Sequence, residues 1–211
     1  MYKIGYIGNF ETVPQVVECI INSDIEKLEE EYKKGWDINK KIFIPEFAIE
    51  TPLEIAIQCI KEEVIMWLLE KGVNVKAEID DWGSPISSAG RFLSSDMCEL
   101  LIKHGALENL TKRQYERIFA DIYYGKKFEN IDIFEKYGVT VKKYGNNCLR
   151  EAVYDRNIEL AQMFLDYGAD INYHEYEMVF TDNSTPVMVA VQRNSFKLVK
   201  WLVEKGADIT I

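Results

Sequence analysis

The residue types that could carry chemistry are sparse and scattered. The two histidines, His104 and His174, lie 70 residues apart, and neither has a candidate nucleophile beside it in the chain. Nucleophilic catalysis needs a base within hydrogen-bond reach of the attacking group, and no such pairing is offered. The four cysteines, Cys19, Cys59, Cys98 and Cys148, are widely spread and form no Cys-x-x-Cys pair. That pattern argues against a zinc centre and for reduced, structural thiols. Gly-rich phosphate loops, Gly-x-Ser-x-Gly elbows and His-Glu-x-x-His pairs are all missing. Cys98 reads as core and the run Glu29, Glu30, Glu31 as a solvated helix face. His104 reads as a helix-ending surface residue, and His174 as a solvent-facing turn residue. The expectation is no catalytic residue, no metal and no cofactor.

Charge narrows the partner classes. The 35 acidic residues outnumber the 25 basic ones, for a net charge of −10. Such a chain repels nucleic acid and anionic membrane and is compatible with a basic protein partner. The densest basic group, Lys33, Lys34, Lys40 and Lys41, is surrounded by Glu29 to Glu31 and Asp37. The opening stretch MYKIGYIGNFETVPQ lacks the basic region and apolar run of a secretion signal. No apolar stretch approaches the ~18 residues of a membrane span. A cytoplasmic monomer is expected. At 211 residues and 47% hydrophobic, the chain can bury a core as one domain.

What must position any functional residue is a recurring stretch. TPLEIAIQCIKEEVIMWLLEKGVNVKA, residues 51–77, returns as TPVMVAVQRNSFKLVKWLVEKGADITI, residues 185–211. Thr51 is a helix N-cap and Pro52 a first helical position, where a missing N–H costs nothing. Leu53, Ala56 and Ile57 share one helical face; Val64, Ile65, Leu68 and Leu69 form the stripe of a second helix. Gly72 stands where a helix ends in a left-handed residue. Gly35, Gly72, Gly105, Gly138, Gly168 and Gly206 mark six such exits, at successive spacings of 37, 33, 33, 30 and 38 residues. One copy cannot bury its own apolar face, so copies must stack.

TPLEIA, SPISSA (84–89) and TPVMVA, with the exits LLEKGVNV, MFLDYGADIN and WLVEKGADI, resemble the ankyrin repeat. The resemblance implies an all-α solenoid of stacked helix-turn-helix units with projecting hairpin-like turns. It implies a single domain, 1–211, with repeats at about 14–46, 47–79, 80–112, 113–142, 143–175 and 181–211, the first and fourth degenerate. The fourth is read from about Arg117, with its Thr-Pro start lost. The first and last turns are the longest, at 40–50 and 173–184, and carry Phe43, Phe47, Tyr173, Tyr176 and Phe180. In the last copy, Leu198, Val199, Trp201, Leu202 and Val203 stay apolar. They are expected to face inward with Lys197, Lys200, Glu204 and Lys205 as a cap; the alternative is that this end meets a partner or a second copy.

Partner contacts in the family tend to come from the turns and from two exposed residues late in each first helix. Copy by copy, this implies Gln58 and Cys59, then Arg91 and Phe92, Tyr124 and Gly125, Tyr154 and Asp155, and Gln192 and Arg193, with Trp82, Tyr144 and Asp182 from turns. The expected contact set is Trp82, Arg91, Phe92, Tyr124, Tyr144, Tyr154, Asp155, Asp182 and Arg193. The implied function is non-enzymatic protein–protein interaction. A narrower alternative is an acidic immunity or antitoxin-type inhibitor of a basic toxin or nuclease. An alternative of another class is the platform of an enzyme, for which no catalytic residues are visible. The repeat register itself is testable. Ala152→Asp would bury an unpaired charge between helices and lower stability by about 3 kcal/mol or more. An unchanged melting temperature would show the register to be wrong.

Overall fold

The computed structural model describes residues 2–4, 8–10, 13–44, 48–76, 83–175 and 183–210. The chain divides into two compact units, Met1–Ile133 and Phe134–Ile211. Helices dominate both. Among the described residues the only strands are two short antiparallel hairpins, both in the first unit.

The first unit opens with the hairpin β1 (Tyr2–Ile4) and β2 (Gly8–Phe10), whose first strand lies beside α1 (Gln15–Asn22). The pair α1 and α2 (Ile25–Lys33) follows. The long first turn then folds as a second hairpin, β3 (Ile42–Ile44) with β4 (Ala48–Glu50), pairing Phe43 with Ile49. Alternation along β3 buries Ile44 and leaves Phe43 63% exposed. Helix α3 (Pro52–Gln58) starts on the Thr51 cap, whose Oγ1 accepts from the Glu54 N–H, with Pro52 in the first turn. It pairs with α4 (Glu62–Glu70), and α5 (Pro85–Phe92) pairs with α6 (Ser95–Lys103). Ser84 and Ser87 cap α5 reciprocally.

Helix α7 (Lys112–Gly125) starts ahead of the fourth copy's expected first position. Its start is Thr111, whose hydroxyl accepts from Gln114 N–H while the Gln114 side chain reaches back to Thr111 N–H. This Thr-x-x-Gln box replaces the missing Thr-Pro, so the helix begins before Arg117. It packs along α5, closely enough that a Cβ on Gly125 would lie 2.3 Å from the Arg91 carbonyl oxygen. Gly125 is therefore a close-approach residue and not a free late-helix position. A 3-10 turn, Phe128–Asn130, leads into α8 (Ile131–Lys136). The buried Asn130 amide donates to the Gly90 and Leu93 carbonyls and its Oδ1 accepts from Ser95, satisfying groups that the end of α5 leaves open.

The second unit contains α9 (Val141–Tyr144), the pair α10 (Asn146–Tyr154) and α11 (Ile158–Asp166), and the pair α12 (Pro186–Gln192) and α13 (Phe196–Glu204). Helix α12 packs on α10 and starts on the Thr185 cap. Ala152, Val153, Ala161 and Phe164 are buried there. Asparagine side chains tie turn to turn: Asn172 Oδ1 accepts from Asp208 N–H at 2.8 Å, as Asn39 accepts from Asn74 N–H at 2.7 Å in the first unit.

The six exit glycines all have positive φ, between 79° and 96°. Ser23, Ile60, Lys126, Arg156 and Asn194 also have positive φ, and each sits between the two helices of a pair. Ile60 is β-branched, 55% exposed and held at φ 56°. That conformation costs an L-residue roughly 1–2 kcal/mol, and asparagine tolerates it best among non-glycine residues. Ile60→Asn, matching Asn194 at the equivalent turn, is expected to stabilise the protein by about 0.5–1 kcal/mol. A melting temperature that falls would show that Ile60 contributes more by packing than it costs in strain.

Candidate interaction surfaces

The sites that sequence marks for chemistry are accounted for by packing. Cys98 is fully buried, and burial pushes its thiol up to about 12, away from the reactive thiolate. His104 is the C-cap of α6, with Nδ1 2.8 Å from the Leu100 carbonyl, and His174 is exposed. The glutamate run differs from expectation at Glu29. Its carboxylate accepts from Trp67 Nε1 at 3.1 Å and pairs with Lys71 at 2.8 Å. Trp36 stacks on Trp67 with centroids 6.4 Å apart, and Tyr32 meets the same ring edge-on. Trp36, Trp67 and Glu29 thus join the first two helix pairs of the unit. The hydrogen bonds from Lys71 and Trp67 hold the Glu29 carboxyl below its usual range. Among the described residues no group of three or more His, Cys, Asp or Glu is placed to hold a metal ion.

Among the described residues, each unit carries some of the expected contact residues. In the first, the close approach of Gly125 to Arg91 brings the ends of α5 and α7 together. Arg91 stands 5.4 Å over the Phe92 ring and 3.5 Å from the Asp121 carboxylate. Tyr124 is 47% exposed and meets Tyr123 edge-on. In the second, the Arg193 guanidinium lies 4.2 Å over the ring of Tyr154, which is 45% exposed. Arg156 donates to the Arg193 carbonyl, and Asp155 is exposed beside Tyr154. Tyr144 is half-buried at the end of α9, with the Lys143 ammonium 4.9 Å from its ring. Trp82 and Asp182 lie outside the described residues. Gln58, expected at the surface, is buried, and Cys59 is half-buried.

Three buried charged residues escape sequence reasoning. Arg150 is fully buried in α10. It donates to the Ser184 and Glu175 carbonyls and to Asn147 Oδ1, and its guanidinium covers the Tyr173 ring at 4.9 Å. It therefore holds both ends of the long last turn onto the first helix. Asp121 is buried in α7 and accepts from Arg117 at 3.0 Å. Burial raises its carboxyl despite the opposing pull of Arg117 and Arg91. Glu54 is fully buried in α3, with neither carboxyl oxygen in hydrogen-bonding geometry with a donor. Burial pushes it up to about 8, the Glu50 carboxylate adds to this, and Ser88 only partly offsets it. The only sequence signal was that these residues share helices with the apolar stripe.

A family model described as ankyrin repeats (three copies) matches residues 122–211. Residues 122–211 of the chain are therefore ankyrin repeats. Its ankyrin fold is similar to the crystal structure of the ankyrin repeat domain of Bcl-3, with a TM-score of 0.68 at 16% identity, covering 96% of this chain and 90% of that one. It is 27% identical over 150 residues to a putative ankyrin repeat protein of fowlpox virus, FPV031, covering 67% of this chain and 43% of that one. It is 29% identical over 165 residues to mouse Rabankyrin-5, covering 76% of this chain and 14% of that one. The chain thus spans less than half the length of these relatives. Ankyrin repeats are in general protein–protein interaction modules, and relatives of the family are typically non-enzymatic. No helix among the described residues is long and apolar enough to cross a membrane.

The buried acid gives this repeat protein a pH-dependent term. Glu54 binds its proton more tightly folded, at about 8, than at the ordinary value of 4.5. Its contribution is full below the ordinary value, declines as pH rises toward 8 and is flat above that. Glu54→Gln is expected to remove this decline and to stabilise the protein at pH 8.5 by on the order of 3 kcal/mol relative to wild type. The check is a melting series from pH 5 to 9; parallel curves for wild type and variant would refute the assignment.

Proposed function

We propose that this ankyrin-repeat chain is a non-enzymatic module that captures a partner protein in the cytoplasm. The contacts are made by residues late in the first helices: Arg91, Phe92 and Tyr124 in the first unit, Tyr154, Asp155 and Arg193 in the second. Tyr144, at the end of α9, and Trp82 and Asp182 extend them. The observation that carries this reading is the stacked pair of Arg193 and half-exposed Tyr154. Tyrosine and arginine dominate interface hot spots, and a side chain already held in place loses little entropy on binding. The net charge of −10 favours a basic partner by steering its approach.

The partner is first captured from cytosol on the immobilised protein. Phe92→Ala with Tyr154→Ala should then leave the melting curve nearly unchanged and weaken binding by at least about 2 kcal/mol, roughly thirtyfold. Equal affinity of wild type and double variant by calorimetry would move the contact onto the long turns at 40–50 and 173–184.

A further inference from the structure

In the first unit, helix α5 packs against both α3 and α7. Each neighbour brings a buried carboxyl group to this row: Glu54 from α3 and Asp121 from α7. Asp121 meets two guanidinium groups, Arg117 Nε at 3.0 Å and Arg91 Nη1 of α5 at 3.5 Å. The groups acting on Glu54 are of another kind: the acids Glu50 and Asp121 and the neutral Ser88 and Gln58. Both Glu54 oxygens are buried without a hydrogen-bond donor, and so is Gln58 Oε1, one turn along the same helix. A protonated carboxyl supplies one O–H, and a proton on Glu54 is the donor this stretch of the interior lacks. The other charges on the surrounding helices are few. Glu18 is the only one on α1, and Glu62, Glu63 and Glu70 of α4 are exposed. On α7, Lys112 and Arg113 are exposed and Glu116 pairs with Lys112.

We propose that the Glu54 proton is a latch on the helix row α3–α5–α7, and through it on the surface formed by Arg91, Phe92 and Tyr124. With the proton in place, the row holds one carboxylate, Asp121, against two guanidinium groups and stays closed. When the proton leaves for solvent, a second buried carboxylate appears in the row, with Glu50 and Asp121 acting against it. Hydrating that charge requires α3 and α5 to part and admit water. Arg91 lies near the end of α5, 5.4 Å over the Phe92 ring, so the movement carries the surface with it. Burial pushes the Glu54 carboxyl up to about 8, so the row is closed at neutral pH and opens above that value. The effect on a partner rests on the reading of Arg91, Phe92 and Tyr124 as contact residues; the effect on the helix row does not.

The test follows ring resonances of Phe92 and Phe164 by NMR in the full chain, from about pH 6 to about pH 9.5. Phenylalanine has no proton of its own to lose, so each ring reports its surroundings. The Phe92 ring should titrate with a midpoint near 8, and the Phe164 ring, in the second unit, should show no step there. Glu54→Gln keeps the neutral shape and should hold the Phe92 ring at its low-pH position throughout. Glu50→Gln removes one acid that opposes ionisation and should lower the midpoint by about half a pH unit or more. Three results at Phe92 would overturn the proposal: a ring that does not titrate in wild type, one that still titrates in Glu54→Gln, or one that moves together with Phe164. So would an unchanged midpoint in Glu50→Gln, which carries the test by itself if Glu54→Gln melts early. The readout needs no partner. If the ring titrates as stated while Phe92→Ala with Tyr154→Ala leaves partner affinity unchanged, the contact reading fails and the latch stands.

Discussion

A two-helix unit presents apolar residues on both sides and can bury neither by itself. Everything else in this protein follows from the need to bring the next unit back over that face. The return uses left-handed backbone at every exit and, in all the described pairs except α5–α6, between the two helices, and the chain solves the two differently. Between the helices of a pair, Ser23, Ile60, Lys126, Arg156 and Asn194 sit at φ between 52° and 59°. That is the narrow left-handed well that an L-residue can enter at a cost. At the exits φ lies between 79° and 96°, outside that well, and all six positions are glycine. The glycines are therefore spaced by the repeat, and the residues between paired helices are free to vary.

Stacking also explains the polar groups in the interior. First helices packed side by side leave little room for water, so a polar side chain on them must find protein partners. Arg150 does so by binding carbonyls of the last long turn. Asn130 does so by filling the end of α5. Glu54 is placed where burial and its acidic neighbours keep it protonated at neutral pH. Gly125 marks the opposite limit: α7 lies so close to Arg91 that no side chain fits between them.

Within the second unit, the same constraint separates covered from uncovered positions. Val153 and Val191 have the same place in the repeat and the same side chain, and α12 over the first accounts for their difference in exposure. The aromatic–arginine pairs occupy another part of the repeat. Arg91 over Phe92 and Arg193 over Tyr154 hold large side chains half in solvent without weakening the stacked core. A repeat can therefore vary these surface residues while keeping its apolar stripe.

The sequence by itself determined the helix pairs, their caps at Thr51, Ser84 and Thr185, and the glycine exits. These depend on local chemistry: a side-chain oxygen three residues before an N–H, a proline in the first turn, a backbone angle only glycine reaches. The periodic apolar stripe was legible for the same reason, since helical spacing sets which residues share a face. The extra first turn of α7 was not legible because its Thr111–Gln114 box carries no proline to mark it. Tertiary structure alone decided that Glu29 binds Trp67, that Gln58 is buried while Tyr154 is half-exposed, and that Glu54, Asp121 and Arg150 lie inside. Exposure at these positions depends on which neighbouring helix lies above, and local sequence does not encode that distance. The long first turn closed as the β3–β4 hairpin for a related reason: its strands find their partners in each other, and their alternation became interpretable only once Ile44 had a core to face.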